Sequence, residues 1–306
     1  MPVPKVDKIW MDGEFVDWDD AQIHILTPTL HYGWGVFEGI RAYETTRGAA
    51  IFHHRAHLER LHRSAHILEM EVPFTVDELM EATRELLRIN RMPSAYIRPL
   101  AYLGYGEMGL NPMPSSIRVA VAAWPWGTYL GDEGIANGVR AKTSSWRRIG
   151  ANMIPTGTKA AGVYINSSLA KVEALKAGYD EAILLNEHGR VAEGSGENVF
   201  AVFDGVLVTP PLSEGVLAGI TRDAIIRFAT DLDVPFAERP LLRQDLYLAD
   251  EAFYTGTAAE VVPIRSVDDR EVGGPGPITK QLQDLFFNVV KGNEPKYEYM
   301  LDFVDA

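Results

Sequence analysis

The chain has 306 residues, of which 46% are apolar and 23% charged, a composition typical of a globular protein with two domains. A net charge of −13 disfavours nucleic-acid partners, and the absence of cysteine excludes disulfides, thiolate catalysis and zinc–thiolate sites. No apolar run approaches the roughly 20 residues of a membrane span, and the N-terminus lacks the apolar region of a signal peptide. We therefore expect a cytoplasmic protein with no membrane partner.

The first 123 residues are predicted to form a small α+β domain. In chain order we expect a hairpin at Asp12-Gly13, a strand region over 31–45, helices over 55–70 and from Thr75, and strands over 96–103 and 117–123. Asp12-Gly13 tolerates the positive φ angles of a tight hairpin turn. Thr75 and Glu78 have the spacing of a capping box, which marks a helix start.

Residues 124–136 are predicted to be an interdomain loop, because three glycines and a proline interrupt any periodicity. Its aromatic residues also suit a mobile flap over a site. Residues 137–306 then form a larger α+β domain. Its predicted elements are a strand over 139–146, a helix from about Ile165 to Gly178, strands over 182–186, 198–203 and 206–209, a helix from Gly219 to about Asp231 with Thr221 as N-cap, a strand over 251–254 and a helix over about 278–290.

Lys159 is the first candidate for chemistry, although a lysine in IPTGTKAAGVY can equally be an ordinary surface residue. It precedes a helix that begins near Tyr164. About thirty residues later, EGSGENVF places Glu193 in a glycine-rich loop that leads into a strand. The segments GITR (219–222) and TGTA (255–258) offer backbone N–H groups and hydroxyls suited to a phosphate. An amine, an acid and two phosphate-binding segments therefore occur in one chain.

The order of these motifs resembles that of a known enzyme family. The strings HYGWGVFEGIRAYET, YIRPLAYLGYGEMGL, ANGVRAKTSSWRR, KAAGVYINSSLAK, GYDEAILLNEHGRVAEGSGENVF, VTPPL and GITRDAI are similar to those of branched-chain amino acid aminotransferases, and they extend from about residue 8 to residue 265. These are fold-type IV (class IV) pyridoxal-phosphate enzymes. EGSGENVF and GITRD are specific to the superfamily, whereas EGIRAY and YIRPL indicate the branched-chain subgroup.

The resemblance implies a two-domain α+β, fold-type IV (D-amino acid aminotransferase-like) enzyme with its cofactor at the domain interface. It implies transamination of leucine, isoleucine and valine with 2-oxoglutarate, giving branched-chain 2-oxo acids and L-glutamate. The mechanism would be ping-pong, through a Lys159 aldimine of pyridoxal 5'-phosphate. The resemblance also implies a homodimer or higher homo-oligomer with active sites at the subunit interface.

Pyridoxal phosphate requires an amine, an anion near its ring nitrogen and a phosphate cradle. By resemblance, Lys159 supplies the amine and acts as general base, Glu193 faces the ring nitrogen, and Tyr164 binds the phenolic oxygen. Leu217 packs against the ring. The remaining implied cofactor residues, in the phosphate cradle and around Glu193, are Arg60, Gly196, Glu197, Asn198, Gly219, Ile220, Thr221, Gly256 and Thr257.

The substrate site must accept both an apolar branched side chain and glutamate. The resemblance assigns Arg98 to the distal carboxylate of glutamate, although an ion pair within a strand is the alternative. The other implied substrate residues are Phe37, Trp126, Tyr129 and Tyr164 in an apolar wall, Tyr32 and Leu110 from a partner subunit, and Tyr96, Thr257 and Ala258 around the α-carboxylate.

Two positions depart from the family pattern, Trp34 in place of a small residue and Val163 in place of asparagine. They leave the preference among leucine, isoleucine and valine open. Aminotransferases of D-amino acids or (R)-amines and aminodeoxychorismate lyase share the scaffold, but Tyr96 and Arg98 argue against them. A non-catalytic small-molecule binding protein is the alternative from another class.

A histidine cluster provides a competing hypothesis, because His62 and His66 are four residues apart on one predicted helix face. No acidic motif completes a metal site there, so a solvated polar face is the better interpretation and no metal is predicted.

Overall fold

A computed structural model describes residues 3–127 and 129–305. Its strands, in chain order, are β1 (Lys8–Met11), β2 (Glu14–Asp17), β3 (Gly35–Phe37), β4 (Ile40–Thr45), β5 (Gly48–Phe52), β6 (Ala95–Leu103), β7 (Ile117–Trp124), β8 (Val139–Arg147), β9 (Glu181–Leu185), β10 (Val191–Gly194), β11 (Asn198–Phe203), β12 (Val206–Thr209), β13 (Phe236–Glu238), β14 (Glu251–Gly256), β15 (Glu260–Val267), β16 (Arg270–Glu271) and β17 (Leu301–Phe303).

The α-helices are α1 (Pro28–Tyr32), α2 (His54–Ile67), α3 (Val76–Ile89), α4 (Gly131–Asn137), α5 (Tyr164–Lys176), α6 (Ile220–Asp231), α7 (Arg243–Leu246) and α8 (Pro277–Val290). Short 3-10 turns occupy Trp18–Asp20, Ala161–Val163, Leu212–Glu214 and Pro295–Met300. Within the described ranges, none of the helices has the length and apolar character needed to cross a bilayer.

The first compact unit contains the chain up to Trp126, Thr158–Gly162 and the segment from Asn288 onward. Its antiparallel sheet has the order β17-β5-β4-β6-β7-β1-β2, with β3 paired to β6. The predicted hairpin is confirmed, with φ of 49° at Asp12 and 101° at Gly13. The capping box is also confirmed, because the Thr75 side chain accepts a bond from Glu78 N while Glu78 Oε2 accepts one from Thr75 N at 2.7 Å. The strand predicted over 31–45 is wrong at its start, where α1 ends at Tyr32.

The second unit comprises Gly127–Gly157 and Val163–Phe287. Its mixed sheet has the order β10-β9-β8-β15-β14-β11-β12-β13, with β16 on β15. Helix α5 starts close to the predicted position and is followed by Gly178 at φ +82°. The apolar side chains predicted on one face of this helix are partly exposed: Leu169 39%, Val172 46% and Leu175 53%. Its buried residues include the small Ala170 and Ala174, which let the helix lie close to the sheet.

Two predictions in this unit need correction. Residues 124–136 are not all loop, because α4 begins at Gly131; Thr128 lies outside the described residues. The N-cap of α6 is Gly219, whereas Thr221 lies buried in the first turn. Gly219 is required there, since an added Cβ would lie 1.9 Å from Asn198 Oδ1. An N-cap without a side chain therefore makes room for the Asn198 amide.

The contact-based division differs from the predicted domains. The sequence assigned Lys159 and the C-terminal residues to a domain over 137–306, yet Thr158–Gly162 and β17 belong to the first unit. A backbone bridge joins Ala160 to Val36, and β17 pairs with β5. Both contacts are distant in sequence, so periodicity carries no signal for them.

A buried ionic cluster attaches α2 to the turn between β3 and β4. Arg60 Nε donates to Glu38 Oε1 at 2.7 Å and its Nη2 to Glu38 Oε2 at 2.8 Å. His57 Nδ1 lies 2.8 Å from Glu38 Oε2, and it donates because an ionised carboxylate only accepts. Although burial raises the pKa of Glu38, the Arg60 charge and the bonds from Arg60 and His57 outweigh it and hold that pKa well below its usual range. The cluster therefore fixes the Arg60 fork.

This cluster predicts a loss of stability in acid. Burial lowers the pKa of His57 from 6.5 to about 4, more than its contacts with Glu38 raise it. Between these values the unfolded chain takes up a proton that the folded chain does not, so stability falls as the pH falls. From about pH 7 to about pH 5, His57 should cost about 2 kcal/mol of unfolding free energy.

His57→Gln keeps a donor for Glu38 but cannot take up this proton, so urea unfolding at the two pH values should show a smaller difference. His66→Gln, on the exposed side of the same helix, is the matched control and should retain the full difference. A His57→Gln protein with the pH dependence of the unaltered chain would contradict this assignment.

Candidate active site

The backbone of Lys159 is held from two sides within the first unit. Its N–H donates to Ser64 Oγ in α2 at 3.1 Å, and its carbonyl accepts the N–H of Phe37 in β3 at 3.1 Å. Lys159 Nζ lies 5.3 Å from the centroid of the Phe37 ring. A lysine from a distant part of the sequence is thereby fixed beside a predicted substrate residue.

Arg98 lies among aromatic rings in the same unit. Its guanidinium carbon is 4.7 Å from the Phe37 centroid and 5.3 Å from that of Tyr96. Its Nη2 donates to the Tyr96 hydroxyl at 3.3 Å, whereas its buried Nε has no hydrogen-bond partner among the described residues. The Trp126 ring is 4.3 Å from that of Tyr96. The structure thus brings together Lys159, Phe37, Tyr96, Arg98 and Trp126, and the cation retains an unsatisfied donor.

Gly39 makes the position of Tyr96 possible. A Cβ at residue 39 would lie 2.1 Å from the Tyr96 hydroxyl oxygen and 2.9 Å from its ring carbon Cζ. The tyrosine hydroxyl therefore occupies the space that any other side chain at position 39 would fill.

Three other predicted residues of this unit lie in different settings. Arg60 is 5% exposed and holds Glu38 in the buried cluster described above. Tyr32 is 43% exposed and Leu110 is 86% exposed. Their exposure means that these two side chains are available to a second molecule.

Glu193 occupies a buried position in the second unit. Its Oε1 lies 2.8 Å from Arg148 Nη2, and its Oε2 accepts the Leu217 N–H at 3.0 Å and Asn198 Nδ2 at 3.2 Å. Asn198 Nδ2 also donates to the Leu217 carbonyl at 3.0 Å. Glu193, Asn198 and Leu217 are therefore brought together as predicted, with Arg148 as an additional member.

The predicted phosphate segments surround the start of α6 and the end of β14. Ile220 and Thr221 form the first turn of α6, where backbone N–H groups lack helical acceptors. Gly256 ends β14, and an added Cβ there would be 3.4 Å from the Gly196 carbonyl. Thr257 and Ala258 follow in the turn before β15. Small residues keep both segments accessible at the backbone.

Glu197 has no ion pair among the described residues, in contrast to Glu193. Burial raises its pKa to about 8, to which the nearby Glu181 and Glu193 carboxylates contribute, against the bond from Gly196 N that lowers it. Glu197 is therefore largely protonated at neutral pH.

The last two predicted residues also lie in the second unit. Tyr164 begins α5. The Tyr129 ring centroid lies 5.1 Å from Lys171 Nζ, and Lys171 pairs with the buried Glu181 at 2.6 Å.

The histidines of α2 have roles other than a shared metal site. His54 Nδ1 pairs with Asp302 Oδ2 at 2.6 Å and His57 with Glu38. Across residues 3–127 and 129–305, no three His, Asp or Glu side chains converge as metal ligands do.

The sequence analysis missed four contacts of the predicted residues, those made by Ser64, Glu38, His57 and Arg148. Glu38 and Arg148 do lie within strings that carried the family resemblance, FEGIRAY and SSWRR. Both strings drew attention to the right segments but could not tell which partner each charged residue has.

Comparison with known proteins agrees with these observations. The family described as amino-transferase class IV matches residues 35–267. The branched-chain-amino-acid aminotransferase of Escherichia coli K12 is 49% identical over 304 residues, covering 98% of each chain. The crystal structure of the Escherichia coli branched-chain amino acid aminotransferase superposes with a TM-score of 0.96 at 49% identity, covering 98% of this chain and 100% of that one.

Two further solved structures are similar along the whole chain. The branched-chain aminotransferase from the thermophilic archaeon Thermoproteus uzoniensis, with norvaline, has a TM-score of 0.94 at 47% identity and covers 98% of this chain and 99% of that one. A thermophile branched-chain amino acid aminotransferase complexed with N-(5'-phosphopyridoxyl)-L-glutamate has a TM-score of 0.94 at 48% identity, with the same coverage.

These similarities place the chain in a family. The predicted two-domain α+β fold of class IV aminotransferases is confirmed. The chain belongs to the class IV aminotransferase family and, within it, to the branched-chain-amino-acid aminotransferases.

Proposed function

We propose that this chain transfers the amino group of L-leucine, L-isoleucine and L-valine to 2-oxoglutarate by a ping-pong mechanism. The products are branched-chain 2-oxo acids and L-glutamate. The observation that carries the proposal is the placement of Arg98, a cation with an unsatisfied Nε among aromatic rings, in the same unit as Lys159. The names of the similar proteins, branched-chain-amino-acid aminotransferases, support it.

The donor set fits pyridoxal 5'-phosphate as cofactor. When bound, this group supplies an aldehyde that forms Schiff bases with amines and a ring that accepts electrons. Lys159 provides the amine, and Tyr164 donates to the phenolic oxygen. Arg60, the N–H groups of Ile220 and Thr221 and the Thr257 segment hold the phosphate, which helix N-termini and arginine forks bind well.

Lys159 and Glu193 divide the proton chemistry. The Lys159 amine, once released, takes the proton from the substrate Cα as a general base. Glu193 presents an anion to the ring nitrogen, and Leu217 packs against the ring. Gly196, Glu197, Asn198, Gly219 and Gly256 form the loops around this carboxylate.

One substrate site accommodates two side chains because its apolar wall contains a single cation. Phe37, Trp126, Tyr129 and Tyr164 contact a branched side chain. Tyr96 and the N–H groups of Thr257 and Ala258 bind the α-carboxylate that both substrates share. Arg98 meets the distal carboxylate of glutamate, and its aromatic neighbours leave it partly desolvated without that anion.

We further propose a homodimer or higher homo-oligomer, in which Tyr32 and Leu110 complete the site of a partner subunit. Their exposed side chains lie on a surface with other exposed apolar residues of the first unit, among them Ile25, Leu30, Tyr105 and Met108. His24 contacts the Tyr105 ring at 4.2 Å, so the two segments are neighbours. An apolar patch of this kind is typical of a subunit interface. The cytoplasmic location remains a prediction.

A direct test of the cofactor is covalent labelling. Purified protein with pyridoxal phosphate should be yellow, and borohydride should fix the cofactor mass on the peptide that contains Lys159. Lys159→Ala should abolish turnover, because it removes both the amine and the base. Lys171→Ala is the comparison variant and should still be labelled at Lys159. Label on Lys142 or Lys171, or protein that stays colourless, would contradict the proposal.

Arg98→Gln should separate the two substrates. Loss of one charge-assisted hydrogen bond costs about 1.5–3 kcal/mol, so kcat/KM for 2-oxoglutarate should fall roughly ten- to a hundredfold. The L-leucine half-reaction, followed alone by cofactor absorbance, should change much less, since leucine offers no distal anion. Arg118→Gln, an exposed arginine on β7, is the control and should affect neither.

Two outcomes would contradict the proposal for Arg98 or for the reaction. Equal loss in both half-reactions would mean that Arg98 is structural or binds the α-carboxylate. Activity of the unaltered chain with D-alanine but not L-leucine would favour a D-amino acid aminotransferase on the same scaffold.

A further inference from the structure

The contacts of Glu193 use most of its capacity to accept hydrogen bonds. Arg148 binds one oxygen, and Leu217 N and Asn198 Nδ2 bind the other. An ionised carboxylate has about four acceptor positions, so room for one further donor remains. The carboxylate plane is thereby fixed, and its side chain is only 7% exposed.

Two irregular strands place Arg148 and Glu193 opposite each other. The pairing of β10 with β9 shifts register between Val191 and Glu193, and that of β8 with β9 shifts between Thr143 and Arg147. Such bulges redirect side chains and are common beside active sites. Arg148 follows the second bulge, where its N–H donates to the Leu185 carbonyl at 2.8 Å. Both residues thus reach each other from the strands that flank β9.

Three carboxyl groups occupy this interior, and they differ in their partners. Lys171 pairs with Glu181 at 2.6 Å and Arg148 with Glu193 at 2.8 Å. Glu197 has no ion pair in the described part of the chain, and burial raises its pKa to about 8. A buried carboxyl in this setting therefore holds its proton unless a cation faces it.

We propose that Arg148 is a positioning residue that keeps Glu193 ionised and directed at the ring nitrogen of the cofactor. This inference rests on the proposed function. With Arg148 present, the proton between Glu193 and the ring stays on nitrogen, because the ion pair makes the carboxylate a poor proton acceptor. Without Arg148, Glu193 takes that proton and the ring becomes a neutral pyridine. The electron-accepting power of the ring therefore depends on a residue that does not touch it.

The test is nitrogen-15 NMR of the holoenzyme with pyridoxal phosphate labelled at the ring nitrogen. The unaltered protein should show the pyridinium shift at neutral pH. Arg148→Gln and Arg148→Met should show the neutral pyridine shift; two variants are used because either could fail to fold. Arg148→Lys restores a cation and should return the signal toward pyridinium. Arg140→Gln, an exposed arginine on β8, is the control and should leave the signal unchanged.

The half-reaction with L-leucine should slow by about ten- to a hundredfold in Arg148→Gln, as expected when one charge-assisted hydrogen bond is lost. In a Glu193→Gln background the same change should have little further effect, because the two residues act through one contact. A pyridinium signal that persists in both charge-removing variants would overturn the inference. Unaltered protein that forms no Schiff base with pyridoxal phosphate would instead contradict the proposed function.

Discussion

The peptide group of Lys159 is the constraint on which the first unit of this site depends. Its N–H is bound by Ser64 and its carbonyl by the Phe37 N–H, so a short segment from the middle of the chain is attached to α2 and β3. Both ends of the contact carry other site residues: Arg60 lies one turn before Ser64, and Phe37 stacks against Arg98. A lysine side chain has four rotatable bonds, and a fixed backbone reduces the volume that its amine can explore. The reactive nitrogen is thereby kept near the aromatic wall.

Charge in this protein is handled by pairing each buried group with a specific partner. Glu38 is held by Arg60 and His57, Glu181 by Lys171, and Glu193 by Arg148. A buried ion without a partner costs several kcal/mol, so these pairs are required for the carboxylates to remain ionised. Arg98 is different, because its Nε remains unsatisfied while aromatic faces stabilise its charge. An unsatisfied cation is costly in a purely structural role and useful where an anionic ligand arrives.

Local features could be predicted from the sequence, and non-local ones could not. The Asp12-Gly13 hairpin and the Thr75–Glu78 capping box depend on neighbouring residues, and both are confirmed. Resemblance identified Glu193, Asn198 and Leu217, which do lie together. The Lys159–Ser64 and Arg148–Glu193 contacts join residues far apart in sequence and depend on strand bulges, which leave no periodic signal. Thr221 was predicted as N-cap from propensity alone, and the close approach of Asn198 to Gly219 decided otherwise.

The contact between Gly39 and Tyr96 limits how this site can be redesigned. A Cβ at residue 39 would lie 2.1 Å from the Tyr96 hydroxyl, so only glycine is compatible with this tyrosine rotamer. Changes at the two positions are therefore not additive: a smaller residue at 96 relieves the constraint at 39, whereas a larger residue at 39 displaces the tyrosine. Laboratory evolution that samples single substitutions would reject both, although the pair changed together could open a new side-chain pocket. A mutant library for altered substrate range should randomise residues 39 and 96 jointly.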